Sequence, residues 1–339
     1  MRKQIMVLVA CGCLLALSGV ATARQDDPVG PATGQLVYLS EQTGNAEIFL
    51  YDFATGEETQ LTDRPHMDWA PAWSPDGTQI AFHARSAETD DWGIWVMNAD
   101  GSDLREVAIS ESLEMLPTWS PDGSQIAFVS TRGSVQGEFL NRDIYVVTLA
   151  PDPASEIVQR LTSDSAQDIA PDWSPDGSQI VFSSNRGGSY GLYVVAADAV
   201  VPAEAGADAE PDTTNQPEDA APLDAATLLY DGADDDKSPA WSPDGTQLVY
   251  YSSSPEQLAS GDVYIISVEG GAVVGDPVPF LVTPAAEMAP VWSPDGEWIA
   301  YFSDAAGNYD VYVKSADGTG DPIQVTSSPE WETVPDWRP

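Results

Sequence analysis

The sequence predicts an all-β protein: a six-bladed β-propeller of four-stranded blades, its ring closed by the C-terminal strand joining the N-terminal blade. Three observations carry that prediction. The pentapeptide Trp-Ser-Pro-Asp-Gly occurs at residues 73–77, 119–123, 173–177, 241–245 and 292–296, and a truncated sixth copy, Pro335-Asp336-Trp337-Arg338-Pro339, ends the chain. The motif tryptophans follow one another at 45 to 68 residues, the length of a blade repeat. The first repeat lacks a tryptophan strand while the C-terminus supplies one with nothing after it, so pairing the two closes the ring and removes an open sheet edge.

Each element follows from local chemistry. Leu36-Val37-Tyr38 opens the first strand, a Gly44-Asn45 turn leads to Ile48-Phe49-Leu50-Tyr51, and Ala54-Thr55-Gly56 turns into a strand ending at Leu61-Thr62. The complete pattern then appears. Ala70-Pro71-Ala72-Trp73 is followed by the Ser-Pro-Asp-Gly turn, Ile80-Ala81-Phe82, Ile94-Trp95-Val96 and Asp100-Gly101. Later repeats give Ile126-Ala127-Phe128 with Ile144-Tyr145-Val146, and Ile180-Val181-Phe182 with Leu192-Tyr193-Val194. Two more give Leu248-Val249-Tyr250 with Val263-Tyr264-Ile265, and Ile299-Ala300-Tyr301 with Val311-Tyr312-Val313. No helical period competes with these alternating runs. In the turn, Pro presets φ, Asp accepts from nearby amides and Gly takes positive φ. The six tryptophans, Trp73, Trp119, Trp173, Trp241, Trp292 and Trp337, are expected to fill the gaps between blades. Each burial is worth several kcal/mol as an upper bound, from about 150–250 Å² at ~25 cal/mol per Å².

The rest of the chain frames the propeller. Arg2 and Lys3 precede an apolar run over residues 5–17, and Val20-Ala21-Thr22-Ala23 offers small residues for cleavage, which reads as a signal peptide over 1–23. The run is too short for a membrane anchor. Leu8-Val9-Ala10-Cys11 loosely matches a lipoprotein box, but few apolar residues precede Cys11, so lipid anchoring is the lesser reading. A short linker, 24–33, leads into the propeller at 34–339. Residues of about 199–226, rich in Ala, Pro, Asp and Glu and without aromatics, are expected to form a disordered acidic insertion in the fourth repeat. Both cysteines, Cys11 and Cys13, fall in the leader, so the mature protein is expected to rely on packing rather than disulfides.

The pattern Pro-x-Trp-Ser-Pro-Asp-Gly followed by Ile-Ala-Phe and Asp-Ile-Tyr-Val resembles the repeat of TolB-type propellers (the WD40-like Pro-Asp repeat family), which also occurs in dipeptidyl-peptidase-like and tricorn-like propellers. The resemblance covers roughly residues 35–339. It implies a six-bladed extracytoplasmic propeller closed by its ends. It does not carry over the separate N-terminal domain of TolB, which has no counterpart after the leader, and fold likeness alone is a weak warrant for function.

Composition narrows the functional classes. With 13 basic against 54 acidic residues and a formal charge of −41, the surface repels nucleic acid and anionic membranes. The string Gly187-Gly188-Ser189-Tyr190-Gly191 fits Gly-x-Ser-x-Gly. A nucleophile elbow, however, needs a helix after it and a downstream histidine, and the only histidines, His66 and His83, lie upstream. Ser189 is therefore expected in a plain hairpin turn. Two histidines and no mature cysteine also leave little for a transition-metal site, and no Gly-rich phosphate loop appears.

One constellation remains. A carboxylate stands three residues before every motif proline: Asp68, Glu114, Asp168, Asp236, Glu287 and Glu332. Pseudo-symmetry puts the six at one height around the axis. One expectation is that each accepts hydrogen bonds from its own turn or the neighbouring blade and helps blades dock. The other is a channel-rim ring binding Ca2+ or another cation, since converging anions need a counter-charge. Trp69, Trp92 and Trp331 lie outside the motif and are candidate partner contacts around an acidic mouth. The sequence thus reads as an exported, monomeric, non-catalytic scaffold, periplasmic or secreted, that binds a peptide or protein of the envelope or the cell exterior at the channel mouth. The rival readings are a carboxylate- or metal-dependent hydrolase or lyase acting on glycan or peptide, and a glycan-binding module.

Overall fold

The computed structural model describes residues 30–86, 91–108, 110–133, 141–152, 155–199, 225–254 and 261–339. The leader, most of the linker and most of the acidic insertion lie outside the described residues. The rest forms six four-stranded antiparallel sheets. Blade 1 uses β1 (Gln35–Ser40), β2 (Glu47–Asp52) and β3 (Glu57–Gln60). Blade 2 runs through β4 (Asp68–Trp73), β5 (Gln79–Arg85), β6 (Trp92–Asn98) and β7 (Arg105–Ala108). Blade 3 has β8 (Glu114–Trp119), β9 (Gln125–Ser130), β10 (Asp143–Thr148) and β11 (Ile157–Arg160). Blade 4 has β12 (Asp168–Trp173), β13 (Gln179–Ser184), β14 (Gly191–Ala196) and β15 (Thr227–Tyr230). Blade 5 has β16 (Asp235–Trp241), β17 (Gln247–Ser253), β18 (Asp262–Glu269) and β19 (Ala272–Leu281). Blade 6 has β20 (Glu287–Trp292), β21 (Trp298–Ser303), β22 (Asp310–Ser315) and β23 (Ile323–Gln324).

The last strand, β24 (Glu332–Trp337), pairs antiparallel with β1, so blade 1 reads β24-β1-β2-β3 and the two chain ends close the ring as expected. Its register sets Leu36 opposite Trp337 and Ser40 opposite Glu332.

Each motif tryptophan sits in a seam between two blades. Trp73 packs with Val37 and Ile48 of blade 1 as well as with its own blade, and Trp337 packs with Ala300, Val311 and Val313 of blade 6. The turn chemistry is also as expected. Asp76 Oδ1 accepts from Ser74 Oγ at 2.7 Å and from the Thr78 amide at 3.0 Å, and the Gln79 amide donates to Ser74 Oγ at 2.9 Å. These bonds favour the charged carboxylate and hold Asp76 below the usual range.

The turns also brace the ring. Gly123, at φ 72°, faces Pro75 of the preceding blade, where a Cβ would come to 3.5 Å of the proline ring. At the closing junction Arg338 takes the proline's place. Its guanidinium donates to the Gly77 carbonyl at 2.8 Å and to Gln35 Oε1, and lies 5.0 Å from the Trp73 ring centre.

Candidate functional site

The innermost strands carry a feature that the sequence did not announce. Each bulges at the residue before its proline: Ala70, Leu116, Ala170, Ser238, Ala289 and Val334 have φ between 45° and 53°. Residues preceding proline normally favour extended backbone, and the left-handed region is costly for side chains with a Cβ. The neighbouring blade stabilises two of these bulges through a side chain. The Leu116 amide donates to His83 Nδ1 at 3.4 Å, and the Ser238 amide to Ser183 Oγ at 3.1 Å. His83 is buried, burial pushes it down to about 3, and it stands as a neutral acceptor. Its role is structural.

The bulges and prolines line a central cavity of about 320 Å³. Most of its wall is Pro, Ala, Val and Leu, but two carboxylates interrupt it, Asp172 on blade 4 and Asp336 on blade 1, three blades apart. Each clasps the following blade by the amide of its motif tryptophan: Asp172 accepts from Trp241 at 2.8 Å and Asp336 from Trp73 at 2.6 Å. Burial pushes them up to about 6 and about 7. Sequence reasoning missed this pair. The signal was an acid in Pro-x-Trp at two repeats where the others carry Ala, Thr or Val.

The six ring carboxylates stand at the start of the innermost strands, Asp236 as the second residue of β16, and all are buried. Three pair with arginine. Arg64 Nη1 reaches Asp68 at 2.9 Å, Arg132 Nε reaches Glu114 at 2.8 Å, and Arg186 Nη2 reaches Asp168 at 3.0 Å. The other three accept from neutral donors: Asp236 from the Gly232 amide at 2.8 Å, Glu287 from Thr283 Oγ1 at 2.5 Å, and Glu332 from Ser40 Oγ at 3.3 Å. Burial pushes Asp68 and Glu287 up to about 7 and Asp236 up to about 6, and raises Asp168 as well, against the opposing pull of Arg186. Among the described residues no three His, Cys, Asp or Glu side chains group closely enough to hold a metal ion.

The aromatic candidates separate. Trp331 is 53 % exposed and packs edge-on against Tyr309, which packs edge-on against Phe302. Met67, 49 % exposed, lines a groove with the β1–β2 turn, residues 41–46, and Glu330. The Glu41 amide bonds the Trp331 carbonyl at 3.1 Å, so Met67 and Trp331 flank the same hairpin. Trp69 is partly covered, with its indole nitrogen buried. Trp92 rests 5.5 Å from the ring of His83, the cross-strand partner of Trp69. Ser189 lies in the turn between β13 and β14, its hydroxyl 3.4 Å from Asp231 Oδ1. Both histidines belong to other repeats, so the turn carries no triad.

Comparison with known proteins agrees with this architecture. The family described as the TolB β-propeller domain matches residues 28–138. The chain carries a TolB-like six-bladed propeller. A TolB homologue of Chlorobium luteolum is 29 % identical over 160 residues, 47 % of this chain and 34 % of the relative. The Tol-Pal system protein TolB of Francisella tularensis subsp. holarctica is 26 % identical over 257 residues, 74 % of this chain and 51 % of the relative. The chain thus spans about a third to a half of these relatives. Among solved structures, TolB from Acinetobacter baumannii superposes with a TM-score of 0.68 at 20 % identity, covering 91 % of this chain and 68 % of that one. A chain of the nidogen/laminin complex superposes at 0.63 with 9 % identity, covering 90 % and 98 %. Likeness at that identity speaks to the fold alone.

Proposed function

We propose that this chain is a non-catalytic scaffold of the cell envelope that binds a protein or peptide partner on the face where its innermost strands begin. The observation that carries this reading is the half-exposed pair Met67 and Trp331, set either side of the β1–β2 hairpin on a chain whose motif tryptophans are packed into seams. Large apolar side chains held in place by a packed neighbour, here Tyr309 behind Trp331, are what a partner's side chains cover most favourably. The groove beside Met67 ends in Glu41 and Glu330, which suits a partner bringing basic residues beside apolar ones.

Similarity to proteins named as Tol-Pal system components supports an envelope role, and the basic, apolar and small-residue order of residues 1–23 supports export. A photo-crosslinking side chain placed at position 331 or 67 tests the reading. In the organism's own envelope fraction it should give one defined protein adduct. The same probe at the exposed Val278 on the outer edge should give none. Equal labelling from all three positions would refute the assignment of the face.

A further inference from the structure

The seam that closes the ring holds two buried acids with no cation paired to either, where the blade 1–2 and 3–4 seams place arginine. At several seams the carboxylate opening an innermost strand meets a second acid from the preceding blade. At the blade 1–2 seam these are Asp68 and Glu47, and Arg64 serves both: its guanidinium pairs with Asp68 and its amide donates to Glu47 Oε1 at 3.1 Å. At the blade 3–4 seam, Asp168 has Arg186 and Asp143 has Arg160 at 2.8 Å. At the blade 6–1 seam the acids are Asp310 and Glu332, brought together by the 2.8 Å bond from the Glu332 amide to the Tyr309 carbonyl.

Both side chains are buried, at 1 % and 0 % exposure. Asp310 Oδ2 accepts from Gln324 Nε2 at 3.0 Å and Glu332 Oε1 from Ser40 Oγ at 3.3 Å, both neutral donors. The remaining oxygens, Asp310 Oδ1 and Glu332 Oε2, are buried without any donor. The ion pairs seen among the described residues lie elsewhere. The groups facing this pair add no positive charge. They are Tyr38 and Ser40 from β1, Glu58 from β3, Tyr312 from β22, Gln324 from β23, and Asn308 from the turn before β22.

Two carboxylates so buried cannot both be charged without a counter-ion. The two carboxyls lie within hydrogen-bonding reach of each other, so one proton held between them removes one of the two charges. We propose that Asp310 is held as the neutral acid and donates its proton to Glu332 Oε2, so that the closing strand is latched by one proton. The latch spans the only point where the ring is joined by pairing of the chain ends rather than by a continuous connection. Burial, with the Glu332 charge beside it, pushes Asp310 up to about 6, in keeping with this arrangement.

The sign of the pH effect follows. The unfolded chain releases this proton near pH 4, and the folded state holds it about two units longer. Of the roughly hundredfold that this group takes from the folding equilibrium between about pH 3 and pH 8, roughly tenfold is lost between pH 5 and pH 8. The mature chain with Asp310→Asn tests this, because the amide can donate to Glu332 at every pH. Expected is a Tm at pH 8 equal to or above that of the wild type, a shallower fall from pH 5 to pH 8, and slower hydrogen exchange in residues 332–337 at pH 8 after correction for intrinsic rates. Should that variant not fold, Glu332→Gln, which removes the other charge, supports the same comparison. A fall with pH as steep as in the wild type would overturn the proposal. So would equal destabilisation at pH 5 and pH 8, or a wild-type loss at pH 8 that calcium reverses.

Discussion

Replacing Trp337 by alanine probes the closure most economically. Trp337 is 5 % exposed, stacks on Phe53 at 5.3 Å between ring centres, and packs against Leu36 and Tyr38 of its own blade and Val311 and Val313 of blade 6. Burying an indole of about 200–250 Å² at ~25 cal/mol per Å² gives about 5–6 kcal/mol as an upper bound. Large-to-small substitutions in cores lose about 3–5 kcal/mol, because the site relaxes in part. At a urea m-value of ~3 kcal/mol per M, the midpoint should fall by about 1–1.7 M. Urea titration followed by circular dichroism measures it, with Trp331→Ala as the exposed control expected to shift the midpoint by a few tenths of that at most. A Trp337→Ala shift no larger than the control's would refute the closing spoke.

Removing Arg186 as Arg186→Met leaves Asp168 buried without its cation and should cost about 3–5 kcal/mol in chemical denaturation, largely recovered when Asp168→Asn is added. Burial lifts Asp68 and Asp336 to about 7 and Asp172 and Asp236 to about 6, so the folded state holds protons that the unfolded chain releases near pH 4. Stability from these groups falls as pH rises, and Tm should be higher at pH 5.5 than at pH 8 in calorimetry at fixed ionic strength. Because Asp68, Asp168 and Glu287 already have partners within the chain, the triple variant Asp68→Asn, Asp168→Asn, Glu287→Gln should answer millimolar calcium as the wild type does in thermal melts. A calcium response confined to the wild type would instead assign a cation to the ring.

The fold was legible because its signals are local and repeated. Tryptophan, turn and alternating strand recur in one order, and the missing strand at one end matches the extra one at the other. The direction of each ring carboxylate was not legible, since it depends on partners at changing offsets. Arg64 lies four residues before Asp68, whereas Arg132 and Arg186 lie eighteen residues after their acids. The left-handed bulges were hidden for a different reason. Ala70 or Val334 before proline reads as extended backbone, and the sequence around them carries no signal of the left-handed turn they take. Asp172 and Asp336 escaped notice because pairing them requires knowing that their repeats face one another across the channel. Trp331 was legible as a tryptophan outside the motif, and its exposure had to come from the packing of Tyr309 beneath it.

The most direct test of the scaffold reading is capture from the organism's envelope extract by residues 24–339, comparing the wild type with Met67→Ser combined with Trp331→Ala. The two side chains are half exposed, so the variant should keep the wild-type Tm. The account predicts a defined protein retained by the wild type and lost by at least tenfold in the variant. Undiminished capture by a variant with unchanged Tm would contradict it.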